Sequence, residues 1–173
     1  NDDIFRIAIA GGEPQQLTSD PSDDFAPDPS PDGKAFAFHS WRSGSRDIFV
    51  QQLDGSGVTQ VTHTPRQEAL VSWSPDGSAL AYSELTDAGG AWVVRRDASG
   101  RWGTPVRRWP TGSAPRWSPD SRWLVMPSGV NGGDLEVIGA DSGAPRLLLD
   151  HTARGLPIAE TADWAPNGLI YFE

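Results

Sequence analysis

The chain repeats one short phrase, and that repetition limits its fold more than any single residue does. Ser30-Pro31-Asp32-Gly33, Ser74-Pro75-Asp76-Gly77, Ser118-Pro119-Asp120-Ser121 and Ala165-Pro166-Asn167-Gly168 share one turn grammar, and their prolines stand 44, 44 and 47 residues apart. Proline presets φ for the second position of a type I turn, and glycine suits the fourth. The period lies in or just above the ~40–45 residues of a four-stranded propeller blade and well above the ~34 of helical-pair repeats.

Each unit reads as four strands. A first strand ends at Trp73, Trp117 or Trp164, with Pro29 in the first copy, where a shorter or edge strand is expected. A second strand follows the turn: Phe36 and Phe38 alternate with Ala35 and Ala37, and Leu80 and Tyr82 with Ala79 and Ala81, a period of two. Third strands are expected at Asp47–Val50, Ala91–Val94 and Asp134–Val137, and fourth strands near Val58–Thr62, Thr104–Arg107 and Pro145–Leu149. Apolar spacing of a helical kind is always interrupted by Pro or Gly, so no helix of consequence is expected, and Asp150 to Thr161 reads as a loop.

The two ends read as one broken blade. "ADWAPNGLIYFE" is a first and second strand, and "NDDIFRIAIAGGEPQQLT" a third and fourth. Apart, each half exposes an unpaired edge. The expectation is an all-β propeller unit over 1–173, with blades at 25–62, 69–107 and 114–149 and a split blade from 1–18 and 162–173. Two rings satisfy the edges: a closed four-blade ring, or a two-chain eight-blade ring by half-blade exchange, a homodimer. Five residues between Tyr171 and Ile4 favour the first. The bulk of Trp73, Trp117 and Trp164 at a narrow centre favours the second, which is the preferred reading.

"SPDGKAFAFHSWRSGSRDIFV" from Ser30, "WSPDGSALAYSE" from Trp73 and "DIFRIAIAGGEPQQLT" from Asp3 resemble the repeat of TolB-type propellers, a WD40-like family. Ser121 in place of glycine and "MPSGVNGGDLEV" depart from that pattern in the third blade. The family has six to eight blades, and its repeats also occur beside peptidase and kinase domains. The resemblance implies a periplasmic or otherwise extracytoplasmic setting and a protein partner docking on one face.

Net charge is −9 over 173 residues, which argues against nucleic acid or an anionic membrane as partner. No apolar run is long enough to cross a membrane. Because the chain opens on Asn1 and not Met, it reads as a processed chain or an excised piece. Cysteine is absent, so disulfides are excluded. One lysine, Lys34, stands against thirteen arginines, and arginine favours planar contacts with carboxylates. No G-x-S-x-G, H-E-x-x-H or P-loop is present, so no catalytic, cofactor or metal residue is assigned and the chain is read as no enzyme. His39, His63 and His151 lack ligand spacing and read as polar loop or strand-end positions. Asp32, Asp76 and Asp120 read as turn residues. Asp20, Asp23, Asp24 and Asp28 offer oxygen ligands that calcium accepts, but the D-x-D-x-D-G order is missing and prolines stiffen the segment, so it reads as a solvated acidic loop.

Topology assigns the interaction face. First-to-second and third-to-fourth turns lie on one face and are stereotyped. The other connections differ from blade to blade: 19–25, 63–69, 109–114, 150–162, 40–46, 84–90 and 128–133. Loops on a rigid scaffold carry function. The candidates there are Asp24, Trp41, Arg42, Arg46, Arg66, Glu68 and Arg154, with Asp24 and Glu68, each five residues before the first-strand Trp position, expected to rim the central channel. The functional reading is a non-catalytic scaffold for a protein partner; the alternative is a ligand-binding or substrate-gating module of a larger enzyme or receptor.

Overall fold

The computed structural model describes residues 1–85, 89–128, 133–156 and 158–173. The strands are β1 (Phe5–Arg6), β2 (Gln15–Gln16), β3 (Asp24–Pro29), β4 (Ala35–Ser40), β5 (Asp47–Gln52), β6 (Val58–Gln60), β7 (Glu68–Trp73), β8 (Ala79–Glu84), β9 (Ala91–Arg95) and β10 (Val106–Trp109). β11 (Arg116–Trp117), β12 (Trp123–Ser128), β13 (Asp134–Gly139), β14 (Arg146–Leu149), β15 (Ala162–Trp164) and β16 (Ile170–Phe172) follow. Among the described residues they form three antiparallel four-stranded meanders, β3–β6, β7–β10 and β11–β14, flanked by the hairpins β1–β2 and β15–β16. The three central sheets are four-stranded and antiparallel, as a propeller blade is.

The expected fourth blade is not assembled. Its halves are separate two-stranded sheets, so the array does not close into a ring within the chain. Each hairpin instead packs on the blade next to it in sequence. Ile4 and Leu17 cover Phe36, Phe38 and Phe49 of the first blade. Ala162, Trp164 and Ile170 cover Val125, Leu135 and Val137 of the third. The outward faces stay apolar and open, with Phe5 54 % and Tyr171 64 % exposed.

The alternation in the second strands sets how blades stack. Along β4, Phe36 and Phe38 point to the N-terminal hairpin, while Ala35 and Ala37 point to the second blade. That small face receives Leu80 and Tyr82 of β8, whose own Ala79 and Ala81 receive Leu124 and Met126 of β12. Large-into-small packing at two successive interfaces fixes spacing and order. Each buried large side chain contributes roughly 1.5–3 kcal/mol. The tryptophans belong to these interfaces too, which corrects the picture of them crowding a centre. Trp73 lies in the core between the first and second blades against Trp102 at 5.6 Å, and Trp117 in the next core.

Two local expectations need correction. β3 is not shortened by Pro29; it has six residues, as β7 does, and takes the sheet edge as expected. The connection after β14 is not all loop. His151–Arg154 forms one helical turn, α1, because Asp150 accepts a hydrogen bond from the Ala153 amide at 2.8 Å and Gly155 ends the turn in the left-handed region.

Candidate functional site

The turn face is built alike in its three Ser-Pro-Asp copies. In the first copy Ser30 Oγ donates to Asp32 at 2.6 Å and accepts from the Ala35 amide at 2.9 Å. Ser74 with Asp76 and Ser118 with Asp120 repeat this. The Ser30 hydroxyl holds the Asp32 carboxyl below its ordinary range, and Ser118 does the same for Asp120. The three aspartates are occupied closing their own turns.

The opposite face is tied together by backbone bonds between blades. Glu68 N–H donates to Arg46 C=O at 2.8 Å, while within the second blade Leu85 N–H donates to Gln67 C=O at 2.7 Å. Gly90 N–H donates to Gly112 C=O at 2.9 Å and Ala159 N–H to Gly133 C=O at 3.3 Å. Each second-to-third connection thus holds the chain entering the next blade. Parts of three expected connections, residues 86–88, 129–132 and 157, lie outside the described residues.

A bulge re-aims the strands entering the first and second blades. The register shifts between Phe25 and Asp28 and between Ala69 and Ser72. Ala26, Leu70 and Ala114, at φ 49°, 54° and 52°, sit in the left-handed region 44 residues apart. None is glycine, so only their spacing signals the bulge in the sequence.

Asp24 and Glu68, two residues before these positions, are each 2 % exposed, so they do not rim an open channel. Asp24 accepts from Arg42 Nη2 on both oxygens, at 2.8 and 2.7 Å. Arg42 also lies 5.0 Å from the Phe38 ring centre and 5.1 Å from that of Phe49, so it acts as an internal counter-ion. Glu68 accepts from the Thr64 hydroxyl and lies 3.2 Å from Thr62 Oγ1, which also lies 3.1 Å from Asp47. Burial, reinforced by the Asp47 charge, pushes Glu68 up to about 7. The third blade has Gly112 at this position, where a Cβ would sit 2.5 Å from Pro127 C=O; no carboxylate fits.

The other candidates divide clearly. Arg66 lies over the Trp92 ring at 5.1 Å and 3.6 Å from Glu84, which also accepts from Trp92 Nε1 at 2.9 Å. Arg46 lies over Trp41 at 4.0 Å, and its Nε is buried with no hydrogen-bond partner among the described residues. Trp41 meets Phe25 edge-on at 5.8 Å and His39 at 6.2 Å. His39 is a buried residue of β4, not a polar strand end; burial, then the Arg46 charge, pulls it down to about 4, so it is neutral at pH 7. Arg154 stands exposed on α1, apart from this group, where His151 pairs with Asp134 at 2.8 Å. The structure therefore brings together Asp24, Trp41, Arg42, Arg46, Arg66 and Glu68. It adds Phe25, His39, Asp47 and Glu84, which the sequence did not single out, because their burial follows from the bulge and the packing of adjacent blades.

The acidic segment divides its carboxylates. Asp20 accepts from the Ser22 amide at 2.9 Å, Asp23 from the Asp2 amide at 3.0 Å and Asp28 from the Trp73 amide at 2.6 Å. Among the described residues no group of three such side chains is placed to hold a metal ion, and no helix is long and apolar enough to cross a membrane.

A family model described as the TolB beta propeller domain matches residues 1–104. No curated protein matches the chain. Among solved structures it is similar to TolB from Acinetobacter baumannii, with TM-score 0.73 at 18 % identity over 97 % of this chain and 42 % of that one. It is similar to a chain of a nidogen/laminin complex, with TM-score 0.71 at 14 % identity over 98 % of this chain and 63 % of that one. It is also similar to oligogalacturonate lyase in complex with manganese, with TM-score 0.63 at 20 % identity over 86 % of this chain and 42 % of that one. The chain spans less than half the length of that TolB chain. At these identities the likenesses establish fold, and the fold is shared by an enzyme and by a member of a protein complex.

Proposed function

The chain belongs to the TolB beta propeller domain family, and from that premise we propose that it is a non-catalytic scaffold that docks a protein partner on its variable-loop face, outside the cytoplasm. The observation that carries the proposal is the contrast between faces. The turn face uses Ser30, Ser74 and Ser118 with their aspartates to close its own turns, whereas the described loop-face connections differ from blade to blade. A rigid array with one non-repeating face suits recognition of a folded partner or an extended segment. The free edges of β1 and β16 fit the same reading, since their pairing, within one chain or across two copies, would finish the fourth blade. Light scattering at micromolar concentration separates a particle of 18.6 kDa from one of twice that mass.

The test is a selection of displayed peptides against the protein, followed by cross-linking and mass spectrometry of the bound peptides. Cross-links concentrated in residues 40–46 and 63–69 are expected. Cross-links concentrated on the Pro31, Pro75 and Pro119 turns would overturn the assignment of the face.

A further inference from the structure

The loop face holds three arginines stacked on aromatic rings, and they meet different fates. Arg42 is consumed by buried Asp24 at 2.7 Å, and Arg66 is paired with Glu84 at 3.6 Å. Arg46 is half-buried and stacked at 4.0 Å, yet has no ion pair among the described residues. Its Nε is buried beyond a partner's reach, which leaves the terminal nitrogens as the donors open to one. In a chain of net charge −9 acidic groups are plentiful, yet none pairs with this guanidinium among the described residues.

We propose that Arg46, held over the Trp41 ring, is the anchor for a carboxylate side chain of the protein partner. The proposal rests on the docking face assigned above and names the chemistry that face selects. Three features fit. First, the ring beneath it restrains the guanidinium in advance, so a planar carboxylate meets a partly ordered fork with less further loss of rotamer freedom. Second, Trp41 is itself held, edge-on to Phe25 at 5.8 Å and beside His39 at 6.2 Å, so the platform beneath Arg46 is rigid. Third, the desolvation that disfavours an unpaired Arg46 charge strengthens the bond formed when an acceptor arrives.

The surroundings also set the class of anion. Phosphate recognition usually gathers several free donors, such as a cluster of arginines or a helix N-terminus. Here the neighbouring cations are already paired, and His39 is neutral. One fork on one flat ring suits a single-charged planar group. Inside the first blade the arrangement is singular. The positions matching His39 in the other two blades are Ser83 and Pro127, so the platform is not repeated.

The test uses the Nε–H resonance of Arg46 in 15N-labelled protein. A hexaglutamate peptide is titrated in, with hexalysine and inorganic phosphate as separate arms. A saturable shift of the Arg46 Nε–H and the Trp41 indole is expected with hexaglutamate alone. Arg46→Lys and Arg46→Gln should each weaken binding at least fivefold, while Arg101→Lys on the turn face leaves it unchanged. Absence of a saturable shift in the wild-type protein would overturn the proposal whatever the variants do. So would unchanged affinity in a folded Arg46 variant, or an equal shift with phosphate at the same concentration. Selected peptides that map to residues 40–46 but ignore Arg46 would sink this inference and leave the docking face standing. Peptides that map to the turn face would sink the docking face, while the hexaglutamate titration would still report on Arg46.

Discussion

The two faces of the sheet array spend the same residue types in opposite ways. On the turn face Ser30, Ser74 and Ser118 each close a local ring with Asp32, Asp76 and Asp120, so one solution is used three times. On the loop face the equivalent positions Asp24, Glu68 and Gly112 have three different fates. One is an ion pair, one is a carboxyl held by threonines, and one is a glycine with no room for a side chain. Local hydrogen bonds let the same turn end three blades, although Arg95–Asp141 and the Ser121 Oγ–Asp76 amide bond also cross between blades there. The loop face depends on the neighbouring blade, so it is where the repeat has become specific.

The most severe way to break the comparison is to remove a loop-face pair that carries stability. Asp24→Ala leaves Arg42, whose side chain is only 15 % exposed, without its counter-ion. Removing one partner of a buried pair costs about 3–5 kcal/mol. A drop of that size in urea unfolding is expected, with much of it recovered when Arg42→Met is added. A loss below about 1 kcal/mol would mean that water replaces Asp24 freely, and that loop-face charges are not built into the fold.

How much of this was legible follows from which interactions are local. The turn phrase and the alternation of Phe36 with Ala37 carried the strands, the blades and the role of Asp32, Asp76 and Asp120, since each depends on residues within five positions. The grouping of Asp24 with Arg42 and of Arg46 with Trp41 was legible as a shared face, but not as pairs. No residue type marks the bulges at Ala26 and Leu70, only their 44-residue spacing, and Asp24 and Glu68 beside them are buried. The separate hairpins were not legible either, because the strands that would join them pair identically whichever partner supplies the edge.

A smaller effect makes the loop face pH-dependent through two buried groups of opposite sign. Glu68, raised from near 4.5 to about 7 by burial and Asp47, binds its proton more tightly folded than unfolded. Its contribution is fully present below pH 4.5 and is lost as pH rises through about 7. His39, lowered from 6.5 to about 4, acts with the opposite sign: its contribution is present above pH 6.5 and is lost as pH falls through about 4. Between pH 4.5 and 6.5 the two oppose each other, so the wild-type profile is shallow. Glu68→Gln should expose the His39 slope, with stability rising over that range by urea unfolding. An unchanged profile would show that Glu68 is solvated in the folded state.

The smallest effect sharpens the claim that the turn face has one solution. Ser121 occupies the position of Gly33 and Gly77 and adopts φ 60° against their 67° and 71°, so the third turn keeps the left-handed geometry without glycine. A side chain there costs roughly 1–2 kcal/mol of backbone strain. The serine offsets part of that cost, because its Oγ accepts from the Asp76 amide of the preceding blade at 3.0 Å. Ser121→Gly relieves the strain and loses that bond, worth about 1 kcal/mol, and should come out near neutral. Ser121→Ala loses the bond and keeps the strain. The alanine variant should therefore melt below the glycine variant by the equivalent of about 1 kcal/mol. Equal melting temperatures would mean that the third turn relaxes out of the left-handed region, and that the turn face, too, varies from blade to blade.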